Sequence, residues 1–268
     1  MPAPKNPFKA GLKGEKAMIG FWLSLASPYT AEIAAGAGFD WLLIDGEHGP
    51  NDIPLLLSQL QTLAAHPVAP VVRVPIGETW MIKQVLDIGA QSVLVPMVET
   101  AEQARQLVRA MNYPPKGVRG VGAAVARASA FNRIPDYLVT ANDEVCLIVQ
   151  AESKAAIDAI EEIAAVDGVD AIFIGPADLA ADMGYPGRGT EPVVLETIEK
   201  AILRIQAAGK PAGILNSDPK LASRYIELGA KFVAVGTDVT LFSQATSNLA
   251  RSYRGDAAPQ PVKSTSSY

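Results

Sequence analysis

Apolar and polar positions along the chain recur in one arrangement. The run Trp41-Leu42-Leu43-Ile44 is uninterrupted and leads straight into Asp45-Gly46-Glu47-His48-Gly49. Unbroken apolar residues of this length suit a strand covered on both faces, as in a parallel sheet flanked by helices. The same order of glycine, short polar step, apolar strand and carboxylate returns at 89–99, 168–178 and 229–238. Each opening glycine suits the left-handed residue that ends a preceding helix. Between successive units there is room for one further strand and helix. The pattern therefore predicts eight strands, with these four as the even-numbered ones, in a (β/α)8 TIM barrel.

The intervening elements follow the same logic. Residues 18–25 read as the first strand, with Ser27 and Pro28 as the cap and first residue of a helix that ends near Gly38. Helical spacing covers 53–65, 79–88, 100–111, 192–208, 218–228 and 238–253, and short apolar runs at 70–74, 145–150 and 211–215 supply the odd-numbered strands. A long irregular segment, 112–132, contains Arg119 and Arg127 among glycines and alanines; segments this long are usually functional or lie at interfaces. The domain expected is a single barrel over 1–254, followed by a flexible tail over 255–268 rich in Pro, Ser and Thr.

Composition narrows the partners. With 23 basic and 28 acidic residues, a net charge of −5 leaves no basic footprint for nucleic acid or an anionic membrane, so the expected partner is a small molecule. No segment reaches the ~18 apolar residues of a membrane span, and the N-terminal residues lack an apolar signal region, so a cytoplasmic location is expected. The single cysteine, Cys146, sits within an apolar run and reads as a small buried hydrophobe.

In such a barrel the chemistry lies at the carboxyl ends of the strands. That rule collects Trp22, Asp45, Glu47, His48, Arg73, Gln150, Glu152, Asp178 and Leu215. Glu152 and Asp178 follow neighbouring strands, so both carboxylates can approach one point. Two carboxylates with water suit a hard divalent cation that keeps positions open for a chelating substrate. Either acid could equally be a helix N-cap. Gly175-Pro176-Ala177-Asp178 turns from strand to helix and can offer backbone N–H groups, including those of Ala177 and Asp178, to an anion; an ordinary tight turn is the plainer reading. Asp87 is unusual as an acid in the last turn of a helix, where it opposes the helix dipole. No strand interior carries a lysine, which removes Schiff-base aldol chemistry.

Taken together, Asp45-Gly46-Glu47-His48-Gly49, Val72-Arg73-Val74-Pro75, Val149-Gln150-Ala151-Glu152-Ser153 and Phe173-Ile174-Gly175-Pro176-Ala177-Asp178-Leu179 closely resemble the HpcH/HpaI family of class II pyruvate aldolases, over about 7–254. The resemblance implies a lyase that reversibly cleaves 4-hydroxy-2-oxo acids to pyruvate or hydroxypyruvate and an aldehyde such as succinate semialdehyde. It implies a metal-stabilised enolate and a role in aromatic-compound catabolism. By the same resemblance Glu152 and Asp178 bind Mg²⁺, Mn²⁺ or Co²⁺, while Gln150 and the backbone of Ala177 and Asp178 hold the keto acid. Trp22 and Leu215 line its methyl end. Arg73 stabilises the enolate oxygen, and His48 is the general base with Asp87 as its partner. Asp45 and Glu47 orient Arg73 and the metal's waters. The assembly implied is a homohexamer, a dimer of trimers that exchange the C-terminal helix. The sequence departs from the family pattern at Ala123, where relatives carry serine. Two rival readings stand beside this one: another metal-dependent enolate-forming C–C lyase of the citrate-lyase type, and a catalytically silent barrel used for binding or assembly.

Overall fold

The computed structural model describes residues 1–254, and the tail expected over 255–268 lies outside the described residues. Eight parallel strands close into a barrel in chain order: β1 (Met18–Leu23), β2 (Trp41–Asp45), β3 (Ala69–Arg73), β4 (Ser92–Val95), β5 (Cys146–Ala151), β6 (Ala171–Ile174), β7 (Ala212–Leu215) and β8 (Phe232–Thr237). The helices are α1 (Pro7–Gly11), α2 (Pro28–Ala35), α3 (Ile53–Leu63), α4 (Thr79–Asp87), α5 (Ala101–Met111), α6 (Tyr137–Glu144), α7 (Lys154–Asp158), α8 (Ile160–Ala164), α9 (Pro176–Asp182), α10 (Pro192–Ala207), α11 (Pro219–Glu227) and α12 (Asp238–Arg254). The four repeated units are the even-numbered strands, and the glycines before three of them, Gly89, Gly168 and Gly229, have φ of +105°, +94° and +100°.

Period-two alternation sorts each strand into two cores. Leu42, Ile44, Val72, Val149, Ile172 and Ile174 face the helices, where they join one large apolar cluster. Trp22, Trp41, Leu43, Val71, Ile148, Phe173, Leu215 and Phe232 form a second cluster, inside the barrel. Following the same alternation to the carboxyl ends places Asp45, Arg73 and Gln150 on the inward side. The register pairs Asp45 with Arg73 and Gln150 with Phe173, so these side chains form the top layer of the interior.

The bottom of the barrel is closed by α1, which the sequence pattern does not reveal because five residues are too few to show a period. Asn6 caps it by accepting from the Lys9 N–H, and Pro7 opens it. Phe8, fully buried, meets Trp41 and Phe232 edge-on at ring distances of 5.6 and 5.4 Å.

Three further differences have local causes. The first strand stops at Leu23 rather than Leu25, because the Ser24 and Leu25 N–H groups donate to the Asp238 carboxylate (2.8 and 3.1 Å) and Ala26 turns left-handed at φ 52°. The segment 112–132 contains two 3₁₀ turns, Ala123–Val125 and Arg127–Ser129, and ends in consecutive left-handed residues Ala130, Phe131 and Asn132. Helix α6 then follows without a side-chain cap. Helix α12 stands largely clear of the barrel: Asp238 is its only buried residue, and Leu241, Phe242, Leu249 and Tyr253 are exposed.

Candidate active site

Asp45 is the hub of the barrel mouth. Its carboxylate accepts two hydrogen bonds from the Arg73 guanidinium, Nε to Oδ1 at 2.9 Å and Nη2 to Oδ2 at 2.7 Å, and a third from Trp22 Nε1 at 3.1 Å. The backbone N–H groups of Glu47 and His48 also donate to it, at 3.0 and 3.3 Å. Burial works to raise the Asp45 carboxyl, but the Arg73 guanidinium and these donors outweigh it and hold the group below the ordinary carboxylate range. Arg73 lies over the Trp22 ring at 4.9 Å, and its Nη1 is 2.8 Å from Glu47 Oε2. That same oxygen stands 3.9 Å from His48 Nε2. Asp45 and Glu47 thus both contact the Arg73 guanidinium.

Glu152 and Asp178 follow β5 and β6, and neither caps a helix. Ser153 caps α7 by accepting the Ala156 N–H at 3.1 Å, and Gly175 occupies the cap position of α9. The two acids are therefore free of that structural role. Glu152 Oε1 accepts the Met97 N–H at 2.7 Å, and Oε2 accepts from Gln150 Nε2. Burial drives the Glu152 carboxyl up to about 7 against those two bonds, and the negative charges of Asp178 and Glu47 push the same way. Glu47 is raised as well, by burial first, against the attraction of Arg73 and with repulsion from Asp45 and Asp178. Asp45 and Glu47 thus share the Arg73 guanidinium, while Glu152, Asp178 and Glu47 repel one another at the same strand ends, a repulsion that a divalent cation would relieve.

The fit to such an ion is that of an open site. Among the described residues no cluster of three or more His, Cys, Asp or Glu side chains is arranged to enclose a metal. Two carboxylates would leave the remaining positions of a six-coordinate hard cation to water and substrate. The residues present fit that arrangement. At Gly175 a Cβ would lie 2.5 Å from Glu152 Oε2 and 2.9 Å from Gln150 Nε2, so only glycine lets β6 approach this carboxylate. In the first turn of α9 the Ala177 and Asp178 N–H groups have no hydrogen-bond partner among the described residues, and both residues line the cavity below.

That cavity, about 20 Å³, is bounded by Trp22, Arg73, Gln150, Phe173 and Leu215. It opens beside a cleft of about 700 Å³ lined by Asp45, His48, Ala177 and Asp178 together with Ser24, Thr237 and Thr240. His48 stands at the rim with its side chain 57% exposed.

Asp87 is not brought to this site within the chain. It ends α4, which returns the chain to the amino-terminal end of the strands, and its carboxylate accepts from Arg119 Nη2 at 2.7 Å. Arg119 is buried and lies over the Tyr113 ring at 4.3 Å. Three contributors escaped the sequence reading. Met97 acts through a backbone N–H that carries no sequence signal, Phe173 looked like any apolar strand residue, and Asp238 was read only as the end of a strand unit. Alternation along β6 would have placed Phe173.

The carboxyl end of the barrel thus gathers a buried, ion-paired arginine, two carboxylates that cap no helix and a rim histidine, the place where (β/α)8 enzymes carry their chemistry. Comparison with known proteins gives the particular lineage. The sequence model of the HpcH/HpaI aldolase/citrate lyase family matches residues 18–245, and the chain belongs to that family. It is 60% identical over 264 residues to a hydroxypyruvate/pyruvate aldolase of Agrobacterium fabrum, covering 98% of this chain and 99% of that protein. It is 54% identical over 253 residues to a 4-hydroxy-2-oxo-heptane-1,7-dioate aldolase of Shigella sonnei, covering 94% and 97%. A crystal structure of an HpcH/HpaI aldolase/citrate lyase family protein from Burkholderia cenocepacia superimposes with a TM-score of 0.89 at 41% identity, covering 94% of this chain and all of that one. Among the described residues no helix is long and apolar enough to cross a membrane.

Proposed function

We propose that this aldolase cleaves 4-hydroxy-2-oxo acids reversibly to pyruvate or hydroxypyruvate and an aldehyde, with a divalent cation, Mg²⁺, Mn²⁺ or Co²⁺, held by Glu152 and Asp178. The observation that carries the reading is the pair of carboxylates at neighbouring strand ends that cap no helix: Glu152, whose carboxyl burial pushes up to about 7, and Asp178, with Arg73 already committed to Asp45 and Glu47. When bound, the cation supplies Lewis-acid polarisation of the keto group and charge for the donor's carboxylate.

The protein's own residues do the rest. The Ala177 and Asp178 N–H groups receive the keto acid's carboxylate. Trp22 and Leu215 take the C3 end of the donor into the small cavity. In the cleavage direction His48 removes the proton from the 4-hydroxyl, the C3–C4 bond breaks, and its electron pair moves onto C3 and the C2 oxygen as an enolate. Arg73, locked by Asp45, holds positive charge beside that oxygen, a preorganised contribution worth several kcal/mol. A proton from water reaches C3 and gives the free keto acid, His48 passes the proton it took to solvent, and in the other direction His48 returns a proton to the new 4-hydroxyl.

Asp87 lies at the opposite end of its own barrel, so it serves His48 only from another subunit. This reading goes with a homohexamer, a dimer of trimers in which α12, exposed on the single chain, is exchanged between subunits. The experiment that tests the chemistry is deuterium exchange into the methyl group of pyruvate, followed by NMR, on protein stripped with EDTA and then resupplied with Mg²⁺ or Mn²⁺. Exchange that appears only with the cation is the expected result. Equal exchange in both conditions, or none in either, overturns the metal-assisted enolate.

A further inference from the structure

Asp238 opens α12, and its carboxylate binds a loop from the other end of the chain. It is the only buried residue of that helix. Oδ1 accepts the Ser24 N–H at 2.8 Å and Oδ2 the Leu25 N–H at 3.1 Å, while Oδ1 also accepts the N–H of the next residue, Val239, at 2.7 Å. One residue further along the loop, Ala26 is left-handed at φ 52°, a conformation disfavoured for a residue with a Cβ. Ser27 then caps α2. The loop at 24–27 thus follows a strained course from β1 to α2, and the Asp238 carboxylate supplies the bonds at its start.

An acid at a helix start has a plainer use, since negative charge there favours the helix dipole. Two features exceed it. Ser24 and Leu25 form one wall of the cleft of about 700 Å³, and Thr237, Val239 and Thr240, on either side of Asp238, form the adjoining wall. The joint between the two walls is the Asp238 carboxylate. The first wall also stands against the loop that bears His48: a Cβ on Gly49 would lie 3.1 Å from the Ser24 carbonyl oxygen, and Ser24 Oγ is 3.5 Å from Asp45 Oδ2.

In the proposed reaction the keto acid occupies the small cavity and His48 meets the 4-hydroxyl, so the cleft beyond His48 is where the aldehyde lies. Resting on that reading, we propose that Asp238 is a positioning residue for the aldehyde half of the reaction. It fixes the wall made by Ser24 and Leu25, acting through the loop rather than on the reacting atoms. Asparagine cannot replace it. All three partners are N–H donors, and the amide nitrogen that would take the place of one carboxylate oxygen is itself a donor, so at least one bond becomes a donor–donor contact.

The test separates the two halves of the reaction in Mn²⁺-loaded Asp238→Asn. Deuterium exchange into pyruvate reports the donor half alone, because no aldehyde is present and the proton at C3 comes from water. It is expected to stay within about twofold of wild type. Addition of pyruvate to succinate semialdehyde reports both halves. Its KM for the aldehyde is expected to rise about tenfold, the effect of one lost hydrogen bond to a charged group, with KM for pyruvate unchanged. Adding Ala26→Gly to Asp238→Asn should recover part of the loss, since glycine adopts this φ without strain, whereas a helix-dipole effect would ignore residue 26. A loss shared equally by exchange and addition, no loss in either, or a loss that Ala26→Gly leaves untouched overturns the inference. If Asp238→Asn does not fold, Asp238→Glu, which keeps the charge at the helix start and moves the carboxylate one methylene outward, is read by the same criteria. A wild type with neither Mn²⁺-dependent exchange nor addition refutes the aldolase reading itself. A wild type with both, matched by the variant, refutes only the role of Asp238.

Discussion

Asp45 and Arg73 face each other across adjacent strands as a buried two-point ion pair, with nitrogen–oxygen distances of 2.9 and 2.7 Å and both side chains 2% exposed. Breaking such a pair leaves an uncompensated buried charge, at a cost of roughly 3–5 kcal/mol. Asp45→Asn is therefore expected to lower the urea midpoint of unfolding and to reduce kcat by about a hundredfold or more, because Arg73 loses its fixed direction. Arg73→Lys is expected to fail in the same assays, since an ammonium cannot reproduce the two parallel bonds. A variant of either residue with wild-type kcat removes Arg73 from the mechanism.

The Glu152 carboxyl, at about 7 against its usual 4.5, gives a pH signature whose sign is fixed. Between those values the folded, metal-free protein holds a proton that the unfolded chain has released. Its stability should therefore fall as the pH rises through that window, by up to about 3 kcal/mol, and level off above it. The same proton competes with the cation, so Mn²⁺ affinity should rise over the window by up to tenfold per pH unit. Calorimetry at several pH values checks both, and a flat affinity profile would remove Glu152 as a ligand.

Gly175→Ala places a methyl group where Glu152 Oε2 now lies, 2.5 Å from the ideal Cβ position. The carboxylate must move, so Mn²⁺ affinity should drop by tenfold or more, with a far smaller change in melting temperature than a core cavity would produce. Retained affinity would show that the Glu152 position is not critical.

Phe8→Ala opens a cavity at the other end of the barrel and should cost about 3–5 kcal/mol of stability. Below its melting transition the variant should keep kcat/KM within about twofold, because the site sits at the opposite strand ends. A large kinetic loss in folded protein would mean that the floor and mouth of the barrel are coupled.

If Asp87 serves His48 across a subunit boundary, His48→Ala and Asp87→Asn proteins should each be nearly inactive alone. Refolded together they should regain activity, since some sites then pair an intact His48 with an intact Asp87. Light scattering should give a hexameric mass for each. No recovery from a mixture that forms mixed hexamers would leave Asp87 with its observed partner, Arg119.

The barrel was legible because each even-numbered unit repeats glycine, apolar run and carboxylate, and because the strand-end rule gathers Asp45, Arg73, Gln150, Glu152 and Asp178 without knowledge of contacts. What stayed hidden had physical reasons. Helix α1 has too few residues for a period, and α6, Tyr-Leu-Val-Thr-Ala-Asn-Asp-Glu, mixes poor helix formers with no cap, so its existence depends on packing. The helix-cap reading of Glu152 and Asp178 falls away only on seeing that Ser153 and Gly175 occupy the caps. Asp87 stands out in the sequence by its place at a helix end, yet its partner in the chain, Arg119, lies in a loop whose path no periodicity describes.

Met97 shows how a contact at this mouth can be independent of amino-acid identity. Its backbone is left-handed, φ 56°, its side chain is 55% exposed, and it holds Glu152 only through a main-chain N–H. A substitution there changes the surface beside the mouth without deleting the donor. Glycine would adopt the conformation with least strain, whereas proline would remove the N–H and force φ to the opposite sign. Position 97 is thus a place where the outer wall of the active site can be redesigned while the grip on Glu152 is inherited unchanged from the chain itself.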